Sequence, residues 1–467
     1  SKSNTVDQGV AVATGVVVAG NGFYAPHGGD KQAAASGDVD LPAGNILVAG
    51  GGGRRLVGGT EKHGALALMK IGIDGTCWWN KRGFGRMARE LLGAMFVLDS
   101  DHEFYLFIDQ EPDADLEQFD INLVRVFPHR PLTAAAVAND SRSIADMIQL
   151  YKAVAATDID VMFFPAVYSW FPVPFRLPSV VTLHDAIAEH FPEMIFPDWK
   201  GRLFWTLKVK LALLQCDRVM TVSQAAKQEI ERYIGVKGSR IDVISEAPNG
   251  IFRQLDDLSA RPALRARIGV PEQARLIVYV GGLAPHKNLA GLLEGFAHAR
   301  PALQDDDVHI VLVGDYGGAG FHSNYGMLAE LADGAELKGR VHFTGFISDD
   351  DLVLLYNDAF AAAMPSFSEG FGLPAVEAMA CRTPVLSSNL GSLPEVVGEA
   401  GVYFDPYNKQ SISDAIITLA NTEGLREQLA EIAVDRSATF SWVSAAQLAL
   451  GYLENVVPAR ARASGGT

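Results

Sequence analysis

Two glutamates, Glu369 and Glu377, stand eight positions apart in the stretch PSFSEGFGLPAVEAMACRTP (365–384). The stretch follows an apolar run that reads as a buried strand, and it opens a helix with Pro374 suited to the first turn. Gly370 and Gly372 leave the backbone bare at that point. The amides of Gly370, Phe371, Gly372 and Leu373 can therefore turn towards an anion, because a helix N-terminus presents unpaired N–H groups and a partial positive charge. Glu369 lies just before this cradle and Glu377 lies within the helix, so one carboxylate can address a sugar and the other a ribose. The ordinary roles of such a pair are a capping carboxylate and a surface residue.

Other groups point to the same chemistry. In YVGGLAPHKNL (279–289) a glycine turn at a strand end is followed by Lys287 and a helix start, an arrangement that can hold a diphosphate; otherwise Lys287 is a solvated lysine. RGFGR (82–86) follows the first clear strand, where Gly83 and Gly85 can approach a donor phosphate or admit an acceptor, although glycine pairs usually mark only a turn. Trp78 and Trp79 in the same loop offer an acceptor platform, with packing as the alternative. His184 and Asp185 end a strand in SVVTLHDAIAEHFP (179–192), with His190 a weaker candidate. Asp349, Asp350 and Asp351 resemble a metal-binding DxD run, but acids at a helix start are favoured by the helix dipole, and no metal site is expected there.

These residues need a scaffold of alternating strands and helices, which the sequence supplies from Lys70 onwards. KIGID (70–74), FYLFI (104–108), VMFFP (161–165), VVTLH (180–184) and VMTVS (219–223) read as buried strands of one parallel sheet. After the turn at Pro248, Asn249 and Gly250 comes a second series: LIVYVG (276–281), HIVLVG (309–314), VHFTG (341–345), AAAMP (361–365) and PVLSS (384–388). The expected organisation is α/β. It comprises a Gly/Ala-rich, irregular or β-rich extension over 1–68, one doubly wound domain over 69–248 and a second over 249–439. Ligands of such sheets sit at the carboxyl ends of the strands, so the cleft between the two halves is the natural site.

Composition narrows the partners. The 467 residues carry a net charge of −16, which argues against nucleic acid, since backbone binding needs a clustered basic surface. Three cysteines, Cys77, Cys216 and Cys381, show no CxxC spacing and fit a reducing compartment. No apolar run reaches the roughly 18 residues of a membrane span. The short apolar run at 10–20, with only Lys2 before it, reads as a poor signal peptide.

EGFGLPxxEAMA resembles the E-x7-E signature of glycosyltransferase family 4, the retaining enzymes of GT-B architecture, and the resemblance extends over most of 70–456. It implies two Rossmann-like domains facing across a cleft, and transfer of a hexosyl unit from a nucleoside diphosphate sugar, UDP- or GDP-linked, with no cofactor and no metal. By this resemblance Glu369 contacts donor-sugar hydroxyls and Glu377 the ribose diol, while amides of Phe371 to Leu373 hold phosphate and sugar oxygens. Lys287 neutralises the leaving diphosphate, and His184, in a THD-like stretch with Asp185, faces the reaction centre. FTGFISDDDLVLLY (343–356) resembles the base-binding stretch and puts Phe346 and Ile347 beside the base. FSWVSAAQLALGYL (440–453) resembles the closing helix, within 440–458, that crosses back to the N-terminal domain. Two departures stand out: Gly282 occupies a place where relatives carry arginine, with His286 the nearest substitute cation, and Arg382 replaces a glycine. The rival readings are a GT-B phosphorylase, a sugar-nucleotide epimerase, and a non-catalytic sugar-nucleotide-binding relative.

The acceptor is open at this stage: a saccharide, a lipid-linked sugar or a small molecule. DWKGRLFWTLKVKLALLQ (198–215) mixes Lys200, Arg202, Lys208 and Lys210 with Trp199, Phe204, Trp205 and Leu207. It reads as a core helix with solvated basic residues or as a peripheral contact with an anionic membrane. Cytoplasmic placement, with contact at the inner membrane face, is the corresponding expectation. Oligomeric state is left open.

Overall fold

The computed structural model describes residues 68–80, 83–98, 101–126, 143–305, 307–315 and 324–457. The extension expected over 1–68 and the run at 10–20 lie outside the described residues, apart from Leu68. Seven strands form the first sheet: β1 (Lys70–Asp74), β2 (Glu103–Ile108), β3 (Asn122–Arg125), β4 (Val161–Phe164), β5 (Ser179–Thr182), β6 (Arg218–Thr221) and β7 (Ile241–Val243). Six form the second: β8 (Arg275–Val280), β9 (Val308–Val313), β10 (Val341–Gly345), β11 (Ala361–Met364), β12 (Val385–Ser388) and β13 (Gly401–Phe404). All pairings are parallel, in the orders β3-β2-β1-β4-β5-β6-β7 and β10-β9-β8-β11-β12-β13.

Both orders reverse direction at one internal pair, β1/β4 in the first sheet and β8/β11 in the second. At such a reversal the loops leave on opposite faces and a crevice opens beyond the strand ends. Among the helices are α1 (Gly83–Val97), α2 (Trp199–Gln215), α3 (Gln224–Glu229), α4 (Asp349–Asp358), α5 (Leu373–Ala380) and α6 (Trp442–Val456).

Central strands are apolar because helices cover both faces; β4, β9, β11 and β12 are buried along their whole length. Three strands have no counterpart among the expected runs, namely β3, β7 and β13, and each is a sheet edge. An edge strand is covered less fully, so NLVR in β3 need not be continuously apolar.

The halves share a core as well as a seam. α6 is capped by Ser441, whose hydroxyl accepts from the Ser444 amide at 3.3 Å. It buries Ala445, Ala446, Ala449, Leu450 and Leu453 in the same cluster as Met87, Leu91 and Leu92 of α1 and Phe371, Val376 and Met379 around α5. Each fully buried leucine, valine, methionine or phenylalanine of the cluster contributes roughly 1.5–3 kcal/mol, and each alanine less.

Across the seam Arg86 of α1 donates to Glu377 Oε1 of α5 at 2.6 Å and also to Asp349 at the start of α4. Burial pushes the Glu377 carboxyl up to about 7, against the pull of Arg86. Burial also works against the Arg86 charge, but the two carboxylates outweigh it and hold the guanidinium above its ordinary range. Removing the cation leaves a carboxylate that is 2% exposed without its partner. For a fully buried pair that costs roughly 3–5 kcal/mol. The cost should be less here, because the Arg86 side chain keeps 22% exposure.

Arg86→Ala should therefore lower the thermal midpoint in scanning calorimetry, and Glu377→Gln in the same background should restore part of the loss. Unfolded, Glu377 releases its proton near 4.5; folded, burial holds it to about 7 even against Arg86, and to higher pH still once that cation is gone. The folded state thus binds an extra proton above pH 4.5, and the variant should gain more stability than the unaltered protein as pH falls from 8 to 6. A midpoint in Arg86→Ala equal to that of the unaltered protein would show that the pair does not hold the seam.

Candidate functional site

Lys287 and Glu369 come from loops that leave β8 and β11, the two strands at the reversal of the second sheet. The Lys287 ammonium donates to both oxygens of Glu369, at 2.8 and 2.7 Å, and Ser366 Oγ donates to Oε1 at 2.6 Å. The carboxylate is thus oriented from two sides. Ser392 Oγ fixes the turn behind it by donating to the carbonyls of Glu369 and Phe371 at 2.9 and 2.8 Å.

Gly372 sits at φ 101°, a left-handed conformation that glycine adopts freely, and starts α5 with Pro374 in its first turn. Gly370 is required for a different reason: a Cβ there would lie 2.3 Å from the His184 carbonyl oxygen and 3.3 Å from Asp185 Cβ. The cradle backbone therefore lies directly on the end of β5 in the other half. Phe371 and Leu373 turn their side chains into the core, leaving only their main chain for a ligand. Gly282 has open space where a Cβ would stand, and its carbonyl accepts from the Tyr279 hydroxyl at 2.7 Å.

His184 places Nε2 3.0 Å from the Pro165 carbonyl oxygen and Nδ1 3.8 Å from Glu246 Oε1, and it is buried. Asp185 accepts from the Ile187 amide at 2.9 Å. Burial raises its carboxyl, opposed by that hydrogen bond and by the His184 and Lys287 charges, with Glu369 pushing it up further. The structure thus brings His184, Asp185, Lys287, Glu369 and Gly370 to one place.

The remaining candidates are distributed differently. Gly83 has open space around it, whereas Gly85 lies against Asn80, whose carbonyl oxygen would be 2.0 Å from a Cβ. Phe346 is 72% exposed beyond β10, and Ile347 packs against the core beneath α4. Trp78 is 3% exposed, edge-on to Phe119 in the core, so it is a packing residue and not an acceptor platform, while Trp79 is half-buried against the same cluster. Aromatic rings at the cleft come instead from Phe84, Tyr168 and Trp205, with centroids 5.0 Å apart at both steps. His286 does not replace the missing arginine: burial, aided by Lys287, pushes its imidazole down to about 3 and keeps it neutral.

Arg382 stands at φ 62°, a left-handed conformation in which glycine is the easy choice, and its side chain pairs with Glu431 away from the cleft. The three acids at 349–351 serve the helix start: Ser348 Oγ caps the Asp351 amide at 3.2 Å, Asp349 meets Arg86, and Asp351 meets Arg267. Among the described residues no group of three or more His, Cys, Asp or Glu is disposed to hold a metal ion.

Arg86 is the site residue that motif reading left without a role. Its only signal is position, one turn into the helix after the RGFGR glycines. Its guanidinium ties the Glu377 helix to the helix after Phe346 and Ile347.

Comparison with known proteins fits this geometry. The family model described as Glycosyltransferase Family 4 matches residues 82–251, and Glycosyl transferases group 1 matches residues 260–436. The serotype-specific mannosyltransferase WbdA of Escherichia coli is 31% identical over 283 residues, 60% of this chain and 33% of that protein. The chain thus spans about a third of the length of that relative. The O-antigen chain mannosyltransferase B of Escherichia coli is 30% identical over 273 residues, 58% of this chain and 69% of that protein. Among solved structures, Anabaena Alr3699/HepE in complex with UDP and glucose superposes with a TM-score of 0.62 at 20% identity, covering 83% of this chain and 99% of that one. The two parallel sheets with the crevice of each at its strand ends are those of the GT-B fold, and the chain belongs to glycosyltransferase family 4.

Proposed function

We propose that the chain transfers a hexosyl unit, with retention and without a metal, from a UDP- or GDP-linked sugar to a hydroxyl group of a saccharide-bearing acceptor in glycoconjugate synthesis. The observation that carries this reading is the Lys287–Glu369 pair, held at the strand reversal beside the bare Gly370–Gly372 backbone. A diphosphate carries more charge than one carboxylate and draws the ammonium from Glu369, which is then free to accept from sugar hydroxyls. As the bond from the anomeric carbon to the phosphate oxygen breaks, Lys287 and the amides at the start of α5 stabilise the leaving charge. The acceptor oxygen bonds to the anomeric carbon from the same face, and its proton passes to the departing phosphate oxygen. Support for a hexosyl donor comes from the mannosyltransferase relatives and from the UDP and glucose held by Alr3699/HepE.

Thermal shift against UDP, GDP and their sugars tests the donor, since a ligand at 100 times its dissociation constant stabilises by about 2.7 kcal/mol. With the donor that responds, Lys287→Ala and Glu369→Gln should each lower turnover by about 10²–10³. The double variant should lose less than the product of the two, because the residues act on each other. Turnover unchanged by EDTA and a product of retained anomeric configuration are expected; near-normal turnover in either single variant would remove that residue from the site.

The outer face of α2 supports a second part of the reading, contact with an anionic bilayer at the cytoplasmic surface. α2 buries Trp205, Val209 and Ala212 while Trp199, Leu203, Leu207, Leu211 and Leu214 form an exposed apolar stripe. Lys200, Arg202 and Lys210 are exposed on this helix, which has no acidic residue in a chain of net charge −16. Lys208 is not part of that face, because its ammonium donates to the Tyr168 carbonyl. No helix of the described residues is long and apolar enough to cross a membrane. Sedimentation with anionic vesicles should fall as salt rises, given screening over about 8–10 Å. It should also fall in Lys200→Glu/Lys210→Glu and in Leu207→Gln. No sedimentation at low salt would leave α2 without a bilayer.

A further inference from the structure

Lys287 ends a single 3₁₀ turn, Pro285–Lys287, and Asn288 follows it at φ 53° and ψ 38°. That is the left-handed region, which asparagine visits more readily than other residues with a side chain. The helix Leu289–Ala299 begins directly afterwards. Asparagine is a favoured helix cap, yet among the described residues Asn288 makes no capping bond to this helix.

Its side chain is bonded elsewhere. Asn288 is 8% exposed, and its Nδ2 donates to the Pro365 carbonyl at 3.2 Å and to the Pro406 carbonyl at 2.8 Å. Carbonyl oxygens only accept, so both protons of the amide are committed and its orientation is fixed. Pro365 directly follows β11 and leads to Ser366 and Glu369, while Pro406 lies just beyond β13. The Phe367 amide adds a tie by donating to the His286 carbonyl at 3.0 Å. The residues before and after Lys287 are thus both bonded to the loop that carries Glu369. Gly291 makes room for this arrangement, since a Cβ there would lie 2.5 Å from Asn288 Oδ1.

We propose that Asn288 is a positioning residue for Lys287, fixing where the ammonium stands relative to Glu369 and hence how it meets a diphosphate. The assignment rests on the proposed transfer and adds to it a residue that acts through its neighbour. A lysine side chain is long and flexible, so a shift of its main chain is carried to the ammonium. Misplacement of a reacting group by about 1 Å can slow a reaction roughly 10²-fold. Bonds that hold the loop before the ligand arrives also reduce the entropy lost on binding.

The test is calorimetric titration of the whole chain with UDP and with GDP, in a cycle of Asn288→Gly and Lys287→Ala. Asn288→Gly permits the left-handed backbone and removes the amide. It should weaken binding of the responding nucleotide by about tenfold while Lys287 is present, and by less than about twofold in Lys287→Ala. Gly291→Ala introduces the better helix former and should still weaken binding, again only while Lys287 is present. This second variant decides the matter where Asn288→Gly lowers the thermal midpoint too far for titration. Equal losses in both backgrounds, or full affinity in folded Asn288→Gly, overturn the positioning role and leave the proposed transfer standing. Failure of the unaltered chain to bind either nucleotide, alone or as its sugar, overturns the transfer and the role together.

Discussion

The two halves meet through main chain at Gly370, and much of the site follows from that meeting. A side chain at this position would run into the carbonyl oxygen of His184. With none there, the turn after β11 rests on the turn after β5, and Ser223 Oγ donates to the Gly370 carbonyl at 2.6 Å. This contact sets Lys287 and Glu369, at the reversal of one sheet, beside His184 and Asp185 of the other. Further bonds hold the approach: Ser368 donates to Glu229, and Glu395 accepts from the Gln224 and Ala225 amides at the start of α3. Of these groups Ser368 is buried, and its bond satisfies a hydroxyl that the seam would otherwise leave without a partner, a loss that costs more than a made bond returns.

Charge is handled at the seam in the same paired way. Lys287 faces Glu369, and Arg86 faces Glu377 and Asp349, so each of these two cations has a carboxylate partner. A chain of net charge −16 repels anions at long range. It can still bind an anionic donor if cations are confined to the cleft and exchange a carboxylate for a phosphate there. Both cations belong to elements placed by strand ends, so the exchange needs side-chain movement and no refolding. Burial keeps His286 out of this exchange, and its neutral ring suits a hydroxyl better than a phosphate.

The centre of each sheet was legible in the sequence because a strand covered on both faces must be apolar throughout, as in VMFF of β4 and VHIVLV of β9. Edge strands escape that requirement, and β3, β7 and β13 went unread for that reason. The Glu369–Glu377 stretch was legible because glycine, proline and acid fall where a bare helix start needs them. Arg86 was not, since an arginine one turn into a helix has the same appearance whether it meets solvent or a buried carboxylate across a seam. Trp78 and Trp79 were open to two readings, and the register of the loop after β1 sends Trp78 into the core. Arg382 shows the converse limit: it holds the left-handed conformation that glycine adopts most easily, while its side chain leaves for Glu431.

α2 divides its side chains by environment. Trp205, Val209 and Ala212 pack inwards, and Lys208, one turn on from Trp205, donates to the Tyr168 carbonyl, so apolar burial and one polar bond hold the helix to the first half. Leu203, Leu207 and Leu211 stand in solvent on the outer side. A helix is only about 10 Å across with its side chains. The proposed bilayer contact on that outer side would therefore lie about one helix width from the stacked rings of Phe84, Tyr168 and Trp205.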